Sequence, residues 1–167
     1  AASDVYKRQL FDGLEQKLRG KQLVGFTIAE IKSRISTYGE RMTKAEAYEK
    51  AWRLGYKGDF SLVDQIYHPK YSAFEDTTGI TANLEDDKTV VLSLSSAVII
   101  GPYKCVSESE DHLSIQAYSM FKKAEIFRSF TTYATYKDGK IITQKTTSAE
   151  LDHDPSEGQD WNWEDYE

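Results

Sequence analysis

The sequence predicts an α+β domain in which helices cover one face of a strongly curved antiparallel sheet. Three observations carry this expectation. Helical stretches come first; the residues from Ala97 onward alternate almost continuously as strands; and short turns join those strands as a meander, Asp138-Gly139 being the strongest hairpin signal.

Taken in order, AASDVYKRQ at residues 1–9 reads as a non-native leader and is set apart from the fold. Residues 10–41 read as a helical N-terminal extension. Leu10, Phe11, Leu14 and Leu18 form a helical stripe closed by Gly20, and Thr27 with Glu30 makes a capping box before Ile28, Ile31 and Ile35. Residues 42–151 follow as the main domain. Its first helix opens at the capping box of Thr43 and Glu46 and buries Ala47, Tyr48, Ala51, Trp52 and Gly55, with Gly58 as the left-handed stop. Asp59 caps a shorter helix with Phe60, Leu62, Val63 and Ile66 inward, which ends at His68-Pro69.

KYSAFED then alternates as a strand. NLEDDKTVVLSLSS fits a helix capped by Asn83, with Val90, Val91 and Leu94 buried, or alternatively a strand. AVIIGPYKCVSES, HLSIQAYSMF, EIFRSFTTYATY and IITQKTTSAEL read as the remaining strands. Residues 152–167 form an acidic aromatic tail, either disordered by its charge or docked through Trp161, Trp163 and Tyr166.

Composition narrows the function classes. From Glu150 onward the chain holds eight acids and no Lys or Arg, so this segment carries −8 and the remainder +2. A nearly neutral body with scattered cations argues against nucleic acid as a partner. No apolar run reaches the ~18 residues of a membrane span, which excludes a membrane helix. The single cysteine, Cys105, excludes an internal disulfide, reads as a buried structural thiol and fits a cytoplasmic protein. No phosphate loop, nucleophile elbow or dinucleotide fingerprint appears, no cofactor is expected, and the three histidines lack the convergent spacing of a metal site.

AWRLGYKGDFSLVDQIYHPKYSAFEDTTG and YKDGKIITQKTTSAEL together resemble the opening and final hairpin of the SnoaL-like branch of the nuclear-transport-factor-2-like (NTF2-like) superfamily. The resemblance covers roughly residues 42–151. It implies a cone-shaped α+β barrel around a pocket, a small-molecule ligand and a homodimer formed through the outer sheet face. The superfamily spans isomerases, cyclases, dehydratases and non-catalytic binding modules, so fold alone does not choose among them.

The candidate site follows from these positions. The resemblance places Asp76 where ketosteroid isomerases carry a general base, which needs a substrate proton in reach and a donor for the developing oxyanion. Ala51 and Thr132 stand where those enzymes carry a tyrosine and a protonated aspartate, so steroid isomerisation does not carry over. The plain structural role for Asp76 is to cap the turn before Thr77-Thr78-Gly79. Arg128 alternates with Phe130 and Thr132 and is either a cation inside the cone or a strand-end residue reaching solvent. Tyr48, Trp52, Phe74 and Gln144 complete the expected ligand-binding set; Tyr48 and Trp52 serve equally as core aromatics. Three functions follow as expectations: a binder of a small apolar or carboxylate-bearing molecule, a proton-transfer enzyme with Asp76 as base, or an oligomerisation module with a filled pocket.

Overall fold

The computed structural model describes residues 42–76 and 78–167. The leader and the N-terminal helical extension expected from the sequence lie outside them.

Helix α1 (Lys44–Gly55) begins at the expected box: Glu46 donates its backbone N–H to Thr43 Oγ1 at 3.1 Å, and Thr43 donates its own to Glu46 Oε2 at 2.8 Å. This pairing satisfies two of the orphan donors of the first turn. Asp59 Oδ1 accepts from Ser61 N at the start of α2 (Ser61–Ile66). Strand β1 (Tyr67–Glu75) follows without a break, so the strand begins earlier than expected and includes Pro69. The ladder tolerates a residue with no N–H there because β1 pairs with its neighbour irregularly between Tyr67 and Ser72.

After β2 (Ile80–Ala82), the Asn83 segment is a helix, α3 (Leu84–Leu94). A reciprocal Asn83–Asp86 box and three acids in the first turn decide against the strand alternative. Val91 and Leu94 pack inward as expected, but Val90 is 54% exposed. The AVIIGPYKCVSES stretch breaks at Gly101-Pro102 into β3 (Val98–Ile100) and β4 (Lys104–Glu108). Both pair with β5 (His112–Phe121), one after the other along its edge. Because β4 has no second neighbour, Cys105 is exposed and is not the buried thiol expected.

Strands β6 (Ile126–Lys137) and β7 (Lys140–Leu151) join through the Asp138-Gly139 turn, both residues having positive φ (53° and 74°) as a two-residue hairpin requires. The sheet order is β2-β1-β7-β6-β5-β3, antiparallel apart from the parallel β1–β7 pair. Cross-strand rows then line up on the face beneath α1. Leu113, Ala134 and Gln144 share one row, Ile115, Thr132 and Thr146 the next, then Ala117, Phe130 and Ser148. With Tyr48, Ala51, Trp52, Val63, Tyr67, Tyr71 and Ile141 this face forms the core. The fold is α+β, a curved sheet closed by helices. Among the described residues no helix is long and apolar enough to cross a membrane.

Candidate functional site

The interior centre is aromatic and hydrogen-bonded. Trp52 Nε1 donates to the Tyr67 hydroxyl at 2.9 Å, which in turn donates to Gln144 Oε1 at 2.9 Å. Tyr48 reaches the same acceptor at 3.4 Å, and Thr132 and Thr146 bond across the strands at 3.1 Å. Burial pushes both Tyr48 and Tyr67 hydroxyls above the ordinary tyrosine range. Edge-to-face contacts join Trp52 to Tyr67, Tyr67 to Tyr71, and Tyr103 to both Tyr48 and Phe130. Tyr48, Trp52, Phe130, Thr132 and Gln144 are thus brought together, Tyr48 packing on Trp52 and Tyr103 bridging Tyr48 to Phe130.

Phe74 and Asp76 lie apart from this group. In β1, Tyr71, Ala73 and Glu75 share the inward phase, and Phe74 is 42% exposed. The inward phase runs unbroken from Tyr67 through Tyr71, Ala73 and Glu75, so Phe74 and Asp76 fall on the outer phase, one residue out from the expectation. Asp76 is exposed and pairs with Lys145 at 3.0 Å, a residue that leaves β7 on the opposite face from Gln144 and Thr146. The turn-capping role falls to Glu75, whose Oε2 accepts from Thr78 N at 2.7 Å. Arg128 does not meet Asp76 and reaches the inward face only at its edge, through Ser148. It donates to Ser148 Oγ at 3.1 Å and lies 3.8 Å from Glu150.

Sequence reasoning passed over a half-buried carboxylate, Asp87 in α3. Its Oδ2 accepts from the Tyr71 hydroxyl at 2.8 Å. Burial raises its pKa, the Tyr71 bond opposes this, and Asp86 adds to it. A carboxyl raised in the folded state favours folding most at low pH, below its unfolded value. That contribution is lost as pH rises through the folded value. The available signal was its place one turn into a capped helix, on the side of Val91 and Leu94.

A cavity of about 330 Å³ lies to one side of the aromatic centre. Tyr56, Val98, Ile99, Ile100 and Tyr103 supply its apolar walls; Arg53, Lys57 and Lys122 bring cations, and Asp165, Tyr166 and Glu167 close it. None of Asp76, Tyr48, Trp52, Phe74, Arg128, Phe130, Thr132 or Gln144 lines it. Tyr103 stands between it and the interior, touching Tyr48 and Phe130. Arg53 is held rigidly by Glu49 at 2.7 Å and by the carbonyl oxygens of Ile100 and Gly101, at 3.2 and 2.9 Å. Its guanidinium lies between the rings of Tyr103 and Tyr166, at 5.2 and 4.7 Å. Burial pushes the Tyr56 hydroxyl up to about 12, so it stays neutral at physiological pH.

The tail is docked and ordered around this cavity. Trp161 stacks on Tyr118 and Trp163 on Phe127, both on the outer sheet face. Glycine at position 101 gives both indoles close approach: a Cβ there would sit 3.3 Å from each and press them outward by a few tenths of an ångström. Trp163 Nε1 donates to Asp154 Oδ1 at 2.9 Å.

No family model and no curated protein matches the chain. Solved structures do. A loop-truncation variant of IdmH superposes with a TM-score of 0.51 at 11% identity, covering 61% of this chain and 89% of that one. An NTF2-like protein of unknown function from Cytophaga hutchinsonii superposes with a TM-score of 0.50 at 13% identity, covering 63% of this chain and 98% of that one. The chain therefore has the NTF2-like cone fold. The fold class expected from the sequence is the one observed.

Proposed function

We propose that this is a SnoaL-like small-molecule-binding protein whose ligand is an apolar, ring-bearing anion held in the cavity beside Arg53. The observation that carries this reading is the composition of the cavity: apolar walls and a fixed guanidinium at one end. A volume of about 330 Å³ falls in the range of ligand sites, at its lower end. Apolar walls supply most of the affinity, and Arg53 and Lys122 select for negative charge.

Binding is favoured over turnover. A general base must reach a substrate proton, whereas Asp76 is engaged with Lys145 away from the cavity and Arg128 with Ser148 and Glu150. The reading includes a cytoplasmic homodimer formed through the part of the outer sheet face that the tail leaves open, where Tyr133 is 47% exposed. A monomer in native mass spectrometry would remove that part.

Fluorescence titration with 8-anilinonaphthalene-1-sulfonate, an apolar aromatic anion, tests the site. Saturable binding is expected. Lys122→Glu should weaken it about tenfold, a lost attraction and a gained repulsion each worth up to ~1 kcal/mol at an exposed site. Lys122 is the better probe, because Arg53 also holds the Ile100 and Gly101 carbonyls. Affinity unchanged by Lys122→Glu would sink the assignment.

A further inference from the structure

Tyr166 and Glu167, with Asp165 beside them, meet the cavity in the way the ligand proposed above would. Tyr166 lays its ring 4.7 Å from the Arg53 guanidinium, and Glu167 sets a carboxylate oxygen 3.1 Å from Lys122 Nζ. A ring on the arginine and an anion on the lysine are the two features the cavity selects. We propose that this C-terminal tip is an intrinsic competitor: an aromatic anion enters by displacing Tyr166 from Arg53 and Glu167 from Lys122. The inference rests on the cavity being the ligand site.

The tail divides into an anchor and a tip of unequal strength. The anchor consists of Trp161 and Trp163, whose indoles stack on Tyr118 and Phe127, cross each other edge to face, and close over Gly101. Trp163 is 7% exposed and hydrogen-bonded to Asp154. Partial burial works to raise the Asp154 carboxyl, but the donors from Ser156 and Trp163 outweigh it and hold it below its usual range. The tip is held more weakly. The side chains of Lys122 and Glu167 are 38% and 56% exposed, so their attraction is screened by solvent and salt. Asn162 N donates to Asp165 Oδ2 at 3.0 Å in the single turn Trp163–Tyr166, a bond that water can replace. A ligand can therefore lift the tip while the two tryptophans stay in place, so the strap keeps its register and can return.

The test compares the full chain with a variant ending at Trp163 and with Glu167→Gln, using 8-anilinonaphthalene-1-sulfonate as the probe. Ending the chain at Trp163 removes one exposed ion pair, one cation–π contact and the edge-to-face contact of Tyr166 with Trp161. Its dissociation constant should fall about five- to tenfold, and that of Glu167→Gln about two- to threefold. Unchanged or weaker binding in both variants, with wild-type binding still sensitive to Lys122→Glu, would overturn the competitor while leaving the cavity assignment standing. Absence of saturable binding in every form would overturn both. Glu167→Gln alters one exposed side chain and keeps the comparison valid if the shortened chain folds poorly.

Discussion

Trp52→Ala is expected to cost about 3–5 kcal/mol of folding stability, the range for removing a large buried aromatic. The indole is 5% exposed and meets Tyr48, Phe60 and Tyr67 in tilted or edge-to-face contacts. Alanine leaves a cavity where α1 crosses the sheet and removes the indole Nε1–H that donates to the Tyr67 hydroxyl oxygen. Domains of this size hold roughly 5–15 kcal/mol in total, so the variant sits near the edge of folding. Trp52→Phe fills most of the space and loses the donor, with an expected cost of about 1–2 kcal/mol. Urea denaturation of both variants checks the pair. A loss under ~1.5 kcal/mol for the alanine variant would mean that α1 is not anchored through this ring.

The second large effect is Gln144→Leu, expected to destabilise by about 2–3 kcal/mol although leucine is nearly the same size. Gln144 Oε1 accepts from Tyr67 and, more distantly, from Tyr48. Among the described residues no buried side-chain polar atom lacks a partner. Leucine takes the acceptor away and leaves the Tyr67 hydroxyl proton buried without one, which costs more than an ordinary hydrogen bond contributes. Thr147→Val, on the same strand but facing out, should change stability by less than about 0.5 kcal/mol. Chemical denaturation of the two variants separates a polar centre that the core requires from a glutamine that merely fills space.

The legible part of this protein is local. The box at Thr43 and the Asp138-Gly139 turn each need only four consecutive residues and set element boundaries before any tertiary contact forms. The Asn83 cap, by contrast, left a strand open, which its reciprocal bond with Asp86 rules out. The shared phase of Phe130, Thr132 and Gln144 was legible from the alternation of β6 and β7, but a register shift between Thr135 and Tyr136 puts Ile141 rather than Ile142 in the core beside the turn. Phe74 and Asp76 misled because the expectation took its phase from the resemblance at Asp76, whereas KYSAFED itself alternates with Tyr71, Ala73 and Glu75 on the inward side.

Cys105 misled for a different reason. A free cysteine is ordinarily buried, but burial of a strand depends on having partners on both sides, and β4 has only β5. The cavity itself was not readable in advance. It joins Arg53 of α1, Val98 of β3, Lys122 beyond β5 and Tyr166 of the tail, and only the completed sheet brings these together. Nor could composition decide whether the acidic tail docks. Its charge argues for solvent, whereas Gly101 and the rings of Tyr118 and Phe127, far away in the chain, supply the seat for its indoles.

The central claim is the location of the ligand site, and amide NMR during a titration with 8-anilinonaphthalene-1-sulfonate tests it most directly. The account predicts saturable shifts confined to the Arg53 side-chain Nε–H and the backbone amides of Val98, Ile100, Tyr103, Lys122 and Tyr166, with the Gln144 side-chain amide unmoved. Shifts centred on Gln144, Thr132 and Trp52 Nε1, with Lys122 and Tyr166 silent, would put the ligand in the aromatic centre and contradict it.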